Sequence, residues 1–204
     1  MEEDVDDFDD DDLDEDDDDL DEDDSDEDDD SDDDDDDDFD DLDDATADEI
    51  DLVLALYRED GQPVGVPLAV DLANDLDGFI TQLRRIPGDG GAIGMVSVAG
   101  EFFVLCRVRG RTVQVLLSDT VAANDWPIAR DVADYLGEDI PDPDDDSEPM
   151  GDAELLVDLG VSEFDLEAIA DDLEEDSDEL LRRLAVRLGF GPQFEHASHA
   201  TPQR

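Results

Sequence analysis

The sequence predicts an α+β fold: a β-α-β-β-β-α domain with an antiparallel meander, a small C-terminal three-helix module, and a disordered acidic N-terminal tail. Three observations predict it. Residues 91–118 hold three apolar, β-prone runs joined by glycine-bearing connections of hairpin length. Apolar residues at helical spacing flank this meander and return after residue 150. Residues 1–49 contain 37 Asp or Glu and no Lys or Arg.

The tail comes first in chain order. Only Val5, Phe8, Leu13, Leu20, Phe39, Leu42 and a few small residues interrupt its acid. Ordering each residue costs roughly 1–2 kcal/mol of backbone entropy, and so little apolar surface does not offset it. Neighbouring charges lie about 3.3–3.6 Å apart on an extended chain, well inside a Debye length of about 8 Å. Repulsion therefore stretches residues 1–49, and folded structure is expected from Ile50.

Asp51 to Asp60 has the short apolar look of a strand, closed by Asp60-Gly61. Residues 62–70, with Pro63, Gly65 and Pro67, read as loop or irregular edge strand. Leu72, Leu76, Phe79, Ile80 and Leu83 then fall at helical spacing up to Pro87-Gly88. The meander follows as 91–98, 101–109 and 112–118. In its middle strand Phe102, Val104, Cys106 and Val108 point one way; Phe103, Leu105, Arg107 and Arg109 point the other. The first face is wholly apolar and calls for a helix above it. Ser118-Asp119 reads as a helix cap. A second amphipathic segment uses Ile128, Val132, Tyr135 and Leu136, with Pro127 in its first turn and Gly137 at its end.

These elements define a domain over 50–137, followed by an acidic, Pro-bearing linker at 138–150. Helical patterns at 152–159, 163–173 and 178–188 make a module over 151–190. Ser162 and Ser177 read as its caps, with Asp165 completing a capping box after Ser162. Residues 191–204 read as a frayed, disordered end.

The formal charge is −59; outside the first 49 residues, 33 acids face 11 arginines. Such a chain does not hold nucleic acid through bulk charge, so direct DNA binding is not expected. Anionic membranes repel it too. Its partners by charge are basic surfaces, cations, or proteins that themselves bind RNA or DNA. No apolar run approaches the roughly 20 residues of a spanning helix, and no signal-peptide pattern opens the chain. The single cysteine, Cys106, excludes an intrachain disulfide framework, which makes a cytoplasmic location the default.

The run GEFFVLCRVRGRTVQVLLSDTVAA, followed after an acidic linker by PMGDAELLVDLGVS, resembles the actinobacterial tRNA adenosine deaminase-associated proteins. The likeness covers roughly Asp51 to Phe190. LLSDTVAA and GDAELLVDLGVS are its most specific parts, and neither carries catalytic chemistry. The resemblance implies an association with a tRNA adenosine deaminase and no assigned reaction. The long acidic N-terminal extension departs from the family pattern.

The deaminase chemistry itself requires a His or Cys plus two further cysteines on zinc, with a Glu to move protons. One cysteine does not supply it. His196 and His199 lie between Pro192 and Pro202 with no other ligand near in sequence, so no metal site is expected. Cys106, mid-strand among Val104, Leu105 and Val108, reads as a small buried hydrophobe. Asp75, Asp77 and Gly78 imitate part of a calcium loop but lack both anchoring carboxylates. No cofactor is expected.

The sharper candidates are the arginines. Arg107 and Arg109 share a strand face, Arg111 lies across the hairpin turn, and Arg84-Arg85 end a helix. Near one end of a sheet they would form an isolated positive spot for an RNA phosphate or a partner carboxylate. The ordinary alternatives are exposed strand-end charges, helix-dipole partners, or anchors for the acidic linker.

The leading expectation is a non-catalytic accessory protein whose acidic segments touch a basic partner, with the tRNA adenosine deaminase implied by the resemblance. One alternative is a ligand-binding or enzymatic domain with a pocket lined by Trp126, Tyr135, Asp119 and Arg130. Another is a general nucleic-acid mimic.

Overall fold

The computed structural model describes residues 42–172 and 174–200, all within one unit spanning Asp40–Arg204. The expected acidic tail lies outside the described residues as far as residue 41. Residues 42–49, assigned above to that tail, are described and belong to the fold. Ala45 is buried, its N–H donates to Asn74 Oδ1 (2.8 Å), and its carbonyl accepts from Asn74 Nδ2 (3.0 Å). Thr46 and Glu49 form a reciprocal turn, with the Thr46 N–H and hydroxyl both donating to Glu49 Oε2. The missed signal is the Thr-x-x-Glu spacing.

A six-stranded antiparallel sheet forms the centre, in the order β2-β1-β3-β4-β5-β6. Its strands are β1 (Ile50–Glu59), β2 (Gln62–Pro67), β3 (Ala92–Val98), β4 (Phe102–Arg109), β5 (Thr112–Leu117) and β6 (Met150–Gly151). Asp60 and Gly61 both take positive φ (51° and 75°), the geometry of a two-residue hairpin turn that follows the strand twist. The ambiguous segment after it is an edge strand, where Pro63 and Pro67 are tolerated. The second edge strand, β6, was not anticipated; its two residues pair with Leu116 and Leu117.

Two helical layers cover the sheet. On the first face lie α1 (Leu76–Arg84) and α2 (Pro127–Leu136), burying Phe79, Ile80, Leu83, Ile128 and Val132 against Val53, Val96, Phe102, Val104 and Cys106. Asp75 caps α1 by accepting from Gly78 N (2.8 Å), which gives the calcium-like spacing its role. Gly137, at φ 69°, ends α2.

The second face is covered by the C-terminal helices α3 (Glu163–Ala170), α4 (Ser177–Arg187) and α5 (Gly191–Ser198). They bury Leu166, Leu181, Leu184 and Phe194 against Leu54, Met95, Phe103 and Leu105. The frayed end expected from residue 191 is thus a helix over Gly191–Ser198, because Phe194 and Ala197 find apolar cover on the sheet. The helix expected at 152–159 is instead a 3-10 turn at Val157–Leu159, closed by Gly160 at φ 90°. Ser162 caps α3 as expected, accepting from Asp165 N. Ser177 does not cap α4. Its Oγ lies 2.7 Å from Ser97 Oγ, which donates to Asp51 Oδ2 (2.8 Å). A buried hydroxyl pair therefore ties α4 to β3, since a polar atom in the core needs a partner.

A glycine admits a helix to each face. Gly94 lies opposite Cys106 on the first face; a Cβ there would sit 2.6 Å from Leu83 Cδ1 and against the Phe79 ring. Gly65 lies opposite Leu56 on the second face, and a Cβ there would sit 2.6 Å from the Gln193 carbonyl oxygen of α5. Overpacking a filled core costs about 1–3 kcal/mol. Gly94→Ala is expected to lower unfolding free energy by that amount, read as a shift of the urea midpoint without a change in slope.

Candidate functional site

The second face changes character along its length. The row Leu54, Met95, Leu105, Leu116 is apolar throughout, whereas the next row toward the sheet end is Leu56, Ile93, Arg107, Gln114. Arg107 is 2% exposed. A guanidinium in that position must be neutralised and hydrogen-bonded, and the turn before α3 does both. Arg107 Nη1 donates to Leu155 O (2.6 Å), and its two terminal nitrogens fork onto Asp158 (Nη2 to Oδ2, 2.8 Å). Arg109 Nη1 reaches the same Oδ2 at 3.0 Å. Arg107 Nε, however, is buried without an acceptor.

Next to this pair the strand ends and the α4–α5 corner border a half-open cavity of about 140 Å³. Leu56, Ile93, Leu159 and Phe190 wall it, with Arg58 and Arg107 contributing guanidinium groups. Arg58 stacks over Phe190, 4.8 Å from the ring centroid, and its Nη2 donates to Leu188 O (3.2 Å). Sequence reasoning missed Arg58, although it has the same parity as Leu52, Leu54 and Leu56 and so points to the second face.

The five arginines singled out from sequence do not gather. The sheet separates them: α1, ending in Arg84 and Arg85, packs on the Cys106 face, while Arg107 and Arg109 project from the other. Arg85 Nη1 lies 3.5 Å from Gln82 Oε1. Arg111 occupies the exposed β4–β5 turn. Arg107 and Arg109 are anchors for the α3 approach, not for the 138–150 segment.

The alternative pocket residues are taken up by structure. Trp126 packs on Phe102 with ring centroids 6.0 Å apart. Arg130 Nε donates to Ala123 O (3.2 Å). Asp119 Oδ1 accepts from Val121 N (2.8 Å) and from Ser147 Oγ (2.6 Å), tying the acidic 138–150 segment back to the domain. Tyr135 lies at the surface beside Asp75, Asp77, Asp131 and Asp134. Burial pushes the Cys106 thiol up to about 12, which keeps it protonated. His199 Nδ1 lies 2.6 Å from Glu195 O. Among the described residues no group of His, Cys, Asp and Glu is placed to hold a metal ion, and no helix is long and apolar enough to cross a membrane.

The sequence profile for "Rv3753c-like tRNA adenosine deaminase-associated protein" matches residues 51–191. The chain belongs to this family. It is 37% identical over 145 residues to Protein Rv3753c of Mycobacterium tuberculosis (strain ATCC 25618 / H37Rv), covering 69% of this chain and 83% of that protein. No solved structure matches. The matched stretch begins at β1 and ends at the first residue of α5, so it contains α1 to α4, Arg107 and Asp158.

The hydrogen bond from Arg107 holds the Asp158 carboxyl below the usual carboxylate range, with burial opposing it. A lowered folded value contributes stability that is present above the unfolded value of about 3.9 and is lost as pH falls through the folded one. Asp158 is half-exposed, so solvent screens the pair. Asp158→Asn is expected to reduce stability by about 1 kcal/mol at pH 7, with the gap to the unaltered protein closing below about pH 4. Urea titrations of both proteins across that range check it.

Proposed function

We propose that this protein is a non-catalytic accessory partner of a tRNA adenosine deaminase, acting in the cytoplasm through acidic surfaces that meet a basic one. The carrying observation is membership of a deaminase-associated family by a chain with a net charge of −59. An enzyme that grips tRNA presents cationic side chains to phosphate. An acidic protein seated there screens those side chains from nonspecific RNA. The lone cysteine supports the reading, because zinc deaminase chemistry takes two and Cys106 is packed under α1 as a protonated thiol.

Charge alone gives rate and sign more than specificity, so a fixed contact is required as well. Phe164 is 77% exposed on α3, beside Pro149, Ala168, Glu167 and Asp171. An aromatic ring inside an acidic rim fits a partner face of arginines or lysines set around an apolar patch. The acidic stretch 1–41 would add salt-sensitive attraction without fixing the pose.

Capture of the deaminase on immobilised protein at physiological salt tests this reading. Enrichment is expected with the full chain, and more weakly with a chain lacking residues 1–41; no enrichment with either defeats it. Phe164→Ser, at a solvent-exposed position, is expected to weaken capture by about tenfold, the equivalent of about 1.4 kcal/mol.

A further inference from the structure

We propose that the cavity between the sheet end and the α4–α5 corner binds a small monocarboxylate with a compact apolar body, such as a branched-chain or aryl acid. The cavity lies apart from the Phe164 surface, so the inference does not depend on the deaminase reading.

Three observations converge on it. The first is size and lining. A space of about 140 Å³ is close to the roughly 150 Å³ that admits a benzene ring in an apolar protein cavity. Its walls are Leu56, Ile93, Leu159 and Phe190, and nucleotides are too large and too polar for it. Leu159 is a 3-10-turn residue at 36% exposure, an apolar side chain that a bound apolar body would cover.

The second observation is charge. Arg58 is half-buried, and among the described residues no carboxylate comes within ion-pair distance of it. Among the described residues its side chain donates to the Leu188 carbonyl, and its guanidinium lies over the Phe190 ring. A guanidinium has five N–H donors, so most of the fork remains to be filled. A carboxylate fills it with two parallel hydrogen bonds. Asp89, the acid on the cavity wall, already accepts from Gly61 N (3.2 Å).

The third is Arg107, which stands on the same wall; its Nε, shielded from solvent, has no acceptor. Arg107 and Arg109 share the single Asp158 carboxylate. On the cavity wall stand two guanidiniums, Arg58 and Arg107, and one carboxylate, Asp89; Arg107 is paired with Asp158, so Arg58 is the wall cation left to be matched. A monoanion restores the balance.

The test uses the full chain, titrated with isovalerate and with benzoate, and in parallel with isovaleramide and benzyl alcohol as neutral counterparts. Amide chemical shifts of Ile93, Gly91 and Phe190 report occupancy. The acids are expected to shift these signals saturably, and the neutral compounds at least about tenfold more weakly. Arg58→Gln is expected to remove the preference for the acid, and Leu159→Trp, which closes the mouth, to abolish binding of both. Equal response to acid and neutral compound overturns the proposal by showing a merely apolar cleft. Absence of any saturable shift overturns it too, as does an unchanged acid preference in a folded Arg58→Gln protein.

Discussion

Strand β4 has no face to give to water. Phe102, Val104, Cys106 and Val108 are buried on one side, and Phe103, Leu105 and Arg107 are buried on the other. Apolar area in water costs roughly 25 cal/mol per Å², so a sheet built around this strand is stable only when both surfaces are covered. The rest of the described structure answers that constraint. Helices α1 and α2 come from within the first 137 residues and cover one side; buried apolar residues between Leu155 and Ala197 cover the other. Gly94 and Gly65, one per face, mark where a helix comes closest.

The same constraint explains where the charged chemistry lies. Most of the acidic residues among those described are at the surface, while the second face carries a guanidinium into the interior at its end. Arg107 is kept there by Leu155 O and Asp158, both belonging to the segment that leads into α3. It therefore sets how the C-terminal layer meets the sheet. The cavity beside it exists because the Phe190 corner closes over the strand ends on one side and Leu159 borders it on another. Stability and the cavity thus come from one packing event.

Much of this was legible in the sequence, and the failures have physical causes. The meander, both flanking helices, the buried role of Cys106 and the Ser162 cap follow from period, spacing and capping chemistry, which are local. The apolar first face correctly called for a helix. The second face ended in Arg107 and Arg109, which read as exposed charge because Asp158, about fifty residues on, supplies the neutralising partner. The arginine cluster failed for a related reason: sequence proximity to one sheet end does not say which face a residue takes, and Arg84 and Arg85 sit across the sheet from Arg107. Helix α5 was hidden because Pro192 and the small residues around it carry a weak pattern; Phe194 and Ala197 gain their helix by docking. Two-residue β6 is below the length at which alternation shows.

The C-terminal helices are part of the core and not an appended module. Native-state hydrogen exchange on the full chain tests it most directly, by comparing amides of β3 and β4 with amides of α4. Protection of both sets with the same opening free energy and the same denaturant dependence is the predicted result, since neither surface of β4 tolerates exposure alone. An α4 that opens several kcal/mol below a still-protected β4 would show instead that the C-terminal helices are an appended layer.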